Sequence, residues 1–184
     1  MSEQQDKRVV QECLKGDIKA FEQLVEKYQK QVYNTALRIS NDIADAEDIT
    51  QNVFIKVYEN LDKYNSRYAF FSWIYRIAMN ESINYNKQKK YFTPLQENLV
   101  DINAAPDKQF EISENNSIIN NALSGLTLDH RAVIVLRHFV GFSYNELSYI
   151  LEIPEKTVKS RLFSARHALK DVLNNKGLVD HNAS

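Results

Sequence analysis

The chain is poor in residues that break helices. Only 4 glycines and 3 prolines occur in 184 residues, which disfavours hairpins and strand-rich folds and favours helices. A single cysteine, Cys13, rules out an intrachain disulfide and a cysteine-rich metal site. It stands among polar residues near a helical pattern, and its simplest reading is structural. No apolar run approaches the roughly 20 residues of a membrane span, and no charged-then-apolar leader opens the chain, so a soluble, cytoplasmic protein is expected. Neither sign of charge dominates: 23 Lys and Arg stand against 24 Asp and Glu. A nucleic-acid-binding protein with that balance must gather its bases locally or work beside a partner. His130, His138, His167 and His181 show no spacing that suggests a metal site or a triad. Neither a cofactor nor an enzymatic activity is expected.

The most informative stretch is FSYNELSYILEIPEKTVKSRLFSARHALK, residues 142–170. Its spacing predicts two short helices. Tyr144, Leu147, Ile150 and Leu151 make one apolar stripe. Ser148 is small and leaves room for a crossing helix. Glu152-Ile153-Pro154 breaks the first helix, because proline disfavours the helical conformation of the residue before it and suits the start of a new helix. In the second helix Val158, Leu162, Ala165 and Leu169 share one side. Lys156, Ser160, Phe163 and His167 project from the other, flanked by Lys159 and Ser164. Residues 155–176 hold six bases against two acids, a net of +4. An apolar face backed by basic, hydroxyl and aromatic groups suits a helix that enters a major groove. An ordinary helical hairpin with a solvated basic face has the same spacing.

The remainder reads as helices of contrasting charge. Residues 1–8 are polar and expected to fray. A short helix is predicted over Val9–Lys15, ended by Gly16-Asp17. Asp17 then caps a long amphipathic helix through Ile39, which stops at Ser40-Asn41-Asp42. The next helix, from about Ala44 to Leu61, has an apolar side with Ile49, Val53, Phe54, Val57, Tyr58 and Leu61. Its other side carries Asp48, Gln51, Asn52, Ile55, Glu59 and Asp62. Residues 42–62 contain six acids and one base, Lys56. Such a face is either solvated or, given the exposed Ile55, a partner surface. Tyr64 to Phe70 is a turn rich in aromatics, followed by a helix in which Trp73, Ile77 and Met79 to Ile83 pack and Tyr75, Arg76, Asn80, Asn84 and Lys87 face outward. Residues 67–90 carry a net of +4. Rings interleaved with bases and amides suit single-stranded nucleic acid; for Tyr64, Tyr68 and Tyr75 a core role is equally open. Residues 91–117 hold Pro94, Pro106 and five acids against Lys108, and read as a tether. Helices resume at Ile118, and Ala132, Val133, Val135, Leu136, Phe139 and Val140 form a support ended by Gly141.

Several of these stretches, in this order, resemble the sigma-70 family of bacterial RNA polymerase sigma factors, in its extracytoplasmic-function (ECF) group. DAEDITQNVFIKVYENLDKY resembles region 2.2. FFSWIYRIAMNESINYNKQKK resembles regions 2.3 and 2.4, including the run from Trp73 to Asn80. LSGLTLDHRAVIVLRHFVGFSYNELSYILEIPEKTVKSRLFSAR, residues 123–166, resembles region 4. The resemblance covers about residues 10–90 and 118–173. It implies an all-α chain: a region 2 domain over 1–91, a flexible linker over 92–117, a helix-turn-helix domain over 118–176, and a tail over 177–184. It further implies that Lys156, Lys159, Ser160, Phe163 and Ser164 face the minus-thirty-five element, with Arg161 and Arg166 on phosphates. Asn65, Ser66, Arg67 and Tyr68 belong to the loop that captures a flipped base of the minus-ten element. Tyr75, Arg76, Asn80, Asn84 and Lys87 support the melted strand or adjacent duplex. Asp48, Gln51, Asn52, Ile55 and Glu59 meet the clamp of the large subunit of core RNA polymerase. An anti-sigma factor is implied as a further partner. The chain departs from the family where Glu152 and Lys156 replace frequent glycines, where Asn52 replaces a frequent acid, and where Ser164 replaces a frequent base.

Overall fold

The computed structural model describes residues 3–92 and 114–175, with side chains described for 3–89 and 118–175. Residues 93–113 of the expected tether, the tail and His181 lie outside the described residues, whereas the two ends of that stretch belong to helices, Phe92 to the one before it and Glu114 to the one after.

Every described element is helical. α1 spans Glu3–Leu14 and α2 Ile18–Ser40. The Asp17 carboxylate caps α2, accepting from the Lys19 and Ala20 N–H groups, donors that have no partner within the helix. Asn41 ends α2 in the left-handed region at φ 59°, where asparagine is tolerated. Asp42 caps α3, Ile43–Glu59, by accepting from Asp45 N–H. A single 3₁₀ turn, Leu61–Lys63, leads to α4, Phe70–Phe92. The second unit contains α5 (Glu114–Ser124) and α6 (Leu128–Ile134). α6 widens into a π turn over Val135–Val140 and stops at Gly141, φ 94°. α7 (Tyr144–Leu151) and α8 (Glu155–Asn175) complete it.

α2 packs on α3 and α4 through Leu24, Val32, Ala36, Ile49, Val53, Val57, Phe70 and Ile74. In the second unit Leu136, Leu147, Ile150, Val158, Leu162 and Ala165 are fully buried. Those positions repeat at three and four residues, as an amphipathic helix requires.

The chain start differs from the expected frayed segment. α1 begins at Glu3, and Asp6 is buried. Tyr28 Oη donates to Asp6 Oδ2 at 2.6 Å, and Lys27 pairs with the other oxygen. The partners lie more than twenty residues downstream, so local composition carries no sign of them.

The two units are packed together, an arrangement that the sequence left open. Phe142 sits between Phe71 and Tyr75, with ring centroids 5.0 Å from each. Arg38 stacks on Phe139 at 4.5 Å. Arg131, buried in α6, donates from Nη1 to Ile39 O at the end of α2 at 2.6 Å. Its other donors reach Leu123 O, Ser124 O and Leu126 O at 2.9, 2.8 and 3.3 Å.

Candidate nucleic-acid and polymerase surfaces

The helix-turn-helix is built from α7, a three-residue break and α8. Ser143 and Glu146 form a reciprocal capping box at the start of α7. Glu152 ends α7 at φ 55° and ψ 38°, a conformation that disfavours residues with a Cβ. The Ser148 hydroxyl donates to Ile153 O at 2.6 Å and braces the break. On α8, Val158, Leu162 and Ala165 face the core, whereas Lys156, Lys159, Ser160, Phe163, Ser164, Arg166 and His167 are exposed. Phe163 is 65% exposed and meets His167 edge-on at 4.5 Å. Lys159 pairs with Glu155 at 2.7 Å, which holds its pKa above the ordinary lysine value. Arg166 Nε donates to His138 Nε2 at 3.3 Å. Burial, together with Arg166 and Arg137, holds the His138 imidazole below its usual pKa, so it is the neutral acceptor. Arg161 is less free: its side chain is 25% exposed and pairs with Asp129 at 3.2 Å.

The second surface is a cleft of about 470 Å³ between α3, α4 and the connecting turn. Asn65, Tyr68, Arg76 and Asn80 line it together with Lys56, Asn60, Lys63 and Trp73. Ser66 and Arg67 are exposed on the turn but do not line the cleft; Arg67 N–H donates to Asn65 Oδ1 and tightens the turn. Asn84 lies in a smaller adjoining groove with Lys56, Glu81 and Asn52, and Lys87 is exposed beyond it.

Two sequence readings need correction. Tyr75 does not face outward. It is 1% exposed, and its hydroxyl donates to Gln31 O at 3.3 Å on α2. Burial pushes its phenol pKa up. A tyrosine satisfies a helix face and a buried acceptor equally well, so spacing alone misassigns it. Tyr58, expected on the apolar side of α3, is 54% exposed and meets Phe21 edge-on at 5.0 Å. Lys56, Asn60 and Lys63 were missed as cleft residues. The available signal was that Lys56 is the one base among six acids.

The third surface is the outer side of α3. Asp48, Gln51, Asn52, Ile55 and Glu59 are all exposed. Ile55 is 54% exposed, and Tyr58 extends the apolar patch one turn on. An acidic field around a small apolar centre suits a basic or mixed protein partner. Among the described residues no helix is long and apolar enough to cross a membrane.

Comparison with known proteins matches the same stretches. The family model "Sigma-70 region 2" covers residues 24–91, and "Sigma-70, region 4" covers residues 117–169. The chain is 35% identical to the ECF RNA polymerase sigma-E factor of Escherichia coli, spanning 92% of this chain and 95% of that one. It is 30% identical to the RNA polymerase sigma-H factor of Pseudomonas aeruginosa, spanning 94% and 96% respectively. Its fold is similar to that of CnrH in complex with the cytosolic domain of CnrY, with a TM-score of 0.70 and 22% identity, covering 92% of this chain and 97% of CnrH. The sigma factor RpoE from Bartonella quintana, solved with the anti-sigma factor NepR, also gives 0.70 at 23% identity, over 85% and 98%. With both sigma regions in order and relatives spanning nearly its whole length, the chain belongs to the ECF group of the sigma-70 family, non-catalytic RNA polymerase subunits that direct transcription initiation.

Proposed function

We propose the following division of labour within this sigma factor. The α8 face reads the upstream, minus-thirty-five element as duplex: Lys156, Lys159, Ser160, Phe163 and Ser164 approach base edges in the major groove, and Arg166 lies on a phosphate. Arg161 reaches a phosphate only by leaving Asp129. The cleft takes a base flipped from the minus-ten element. Unstacking that base costs a few kcal/mol. Stacking on Tyr68, at roughly 1–3 kcal/mol per base, and phosphate contacts from Lys56, Lys63 and Arg76 offset it. Asn65 and Asn80 supply donors and acceptors for the base edge. Asn84 and Lys87 track the adjoining strand, and Ser66 and Arg67 hold the outer rim of the loop. The acidic face of α3, with Asp48, Gln51, Asn52, Ile55 and Glu59, docks on the clamp of core polymerase. Residues 1–91 and 118–176 are the two engaging domains. The protein works in the cytoplasm, and an anti-sigma factor that covers these surfaces is its regulator.

The observation that carries this reading is the cleft. An exposed ring, three cations and amides line it together, with Glu81 paired to Lys56 on the same wall. The test adds the purified chain to sigma-free core polymerase, followed by transcription from fragments of its own genome and mapping of start sites. Promoter-dependent transcripts are expected. In the same assay Lys159→Ala should weaken use of the upstream element and leave core binding unchanged. Loss of core binding in that variant would show that the surfaces are misassigned.

A further inference from the structure

The cleft proposed to hold a flipped base already has something in it. Tyr149, from α7 in the second unit, forms part of its wall. Its ring lies on Tyr68 with centroids 3.8 Å apart and planes 14° apart. That is parallel stacking, the geometry in which a base lies on an aromatic side chain. One turn further along, the Glu152 carboxylate pairs with Arg76. The Arg76 guanidinium also lies over the Tyr149 ring at 5.1 Å. A flat ring on Tyr68 and an anion on Arg76 together present the two recognised parts of a nucleotide.

The backbone supplies a separate observation. Glu152 occupies the left-handed region at φ 55°, one of only two described non-glycine residues with positive φ. The other, Asn41, is of a type that tolerates it. Glutamate is not. Strain that persists at one residue points to a role for its side chain, and this carboxylate pairs with Arg76, in the other unit.

We propose that Tyr149 and Glu152 act as an intramolecular stand-in for a nucleotide, closing the strand-binding cleft of the free chain until an opening event separates the units. The inference rests on the strand-binding reading of the cleft. Ser72 Oγ donates to Glu146 Oε1 at 3.3 Å beside the latch, and Phe142 packs on Phe71 below it, so the same helix pair carries the closure. The latch remains partly exposed: Tyr149 is half-buried, and the Glu152 side chain is 52% exposed. An ion pair of that kind is screened by salt, and a strand of higher charge density displaces it.

A ligand that binds only the open form has its affinity reduced by the fraction of chains that are open. The probe is a mixed-sequence single-stranded DNA 12-mer carrying a dye, titrated into the full-length protein at low salt. The one tryptophan, Trp73, lines the cleft and gives a second, label-free signal. Glu152→Gly keeps the backbone conformation, relieves the strain and removes the anion, so it carries no folding risk. It should tighten strand binding about 3-fold, and Tyr149→Ala/Glu152→Gly about 10-fold, on the scale of one exposed ion pair and one stacked ring pair. Arg76→Ala should abolish the binding in every background. If Glu152→Gly raises the melting temperature and neither variant changes strand affinity, while the parent binds through Arg76, the latch is overturned and the strand-binding reading survives. If no variant binds the strand, although small-angle scattering shows the double variant to be extended, the strand-binding reading fails and takes the latch with it.

Discussion

Replacing Arg131 with methionine should destabilise the protein by about 3–5 kcal/mol. Arg131 is 9% exposed, and its four described partners are backbone carbonyls. Two of them, Leu123 O and Ser124 O, are at the end of α5, and Ile39 O is at the end of α2. The last carbonyls of a helix have no partner within it, and its C-terminus carries roughly half a negative charge. Two helix ends therefore balance a buried cation that no carboxylate is seen to pair. Burial pulls the guanidinium pKa down, which measures the opposing desolvation. Each bond to a charged donor is worth about 1.5–3 kcal/mol, and removing the guanidinium from water costs several. The surplus, together with the carbonyls that lose this donor, gives the stated loss; of the four, Leu123 O keeps a bond from the Leu126 N–H. Methionine keeps most of the apolar volume, so the change isolates the polar contribution. Arg131→Lys should recover less than half, since an ammonium lacks the fork that spans four oxygens. Urea unfolding of the full chain, followed by circular dichroism, measures both. A loss below about 1 kcal/mol for methionine, the size of a surface change, would refute the reasoning.

Two further outcomes follow from local geometry. Ser143→Ala removes half of the capping box on α7; a loss of about 1 kcal/mol is expected, or roughly 2–4 °C in melting temperature for a chain of this size, and an unchanged calorimetric midpoint would show the cap to be idle. Lys89 bridges Asp42 and Asp45 at 3.3 and 2.7 Å, clasping the end of α4 to the start of α3. Burial alone would raise the Asp42 carboxyl pKa, but the Asp45 N–H and Lys89 outweigh it and hold it below the usual range. Burial would likewise lower Lys89, and its bonds to Asp45 and Asp42 outweigh that and raise it. The clasp is then fully present between the ordinary carboxylate pKa of about 4 and the ordinary lysine pKa of about 10.4. It is lost as pH falls through the lowered Asp42 value or rises through the raised Lys89 value. Melting curves of Lys89→Gln and the parent should differ at pH 7 and draw together as pH falls through the lowered Asp42 value; a constant difference would refute the pairing.

Side-chain periodicity made most helix faces readable. Val158, Leu162 and Ala165 were assigned to the core of α8, and Lys156, Ser160 and Phe163 to its surface, because a helix repeats its environment locally. The breaks at Asp17, Asn41-Asp42 and Glu152 were readable for a related reason: caps and left-handed residues depend on nearest neighbours. The burial of Asp6, the carbonyl cradle of Arg131 and the inward turn of Tyr75 were not readable. Each depends on partners far along the chain, and a polar residue on a helix carries no mark of whether its partner is water or a distant backbone. Lys56 lies between these cases. Its charge stood out against the acids around it, but the cleft that gives it a purpose is formed by α4 as much as by α3. The packing of Phe142 between Phe71 and Tyr75 was invisible for the same reason: an aromatic at a helix start fits its own unit or a neighbour equally well.

Arg76 and Glu152 lie 76 residues apart in the sequence. α4 ends at Phe92, so at a ribosomal rate of roughly 5–20 residues per second Glu152 leaves the exit tunnel about 3–12 s after the first unit. Newly synthesised chains therefore pass through a window in which the first unit is folded and its cleft has not yet been covered. A chain that docks on polymerase in that window brings an open cleft with it, whereas a finished chain docks through the same exposed α3 face with its cleft closed. The order in which the ribosome delivers the two halves thus sets the state of the cleft at the moment of docking.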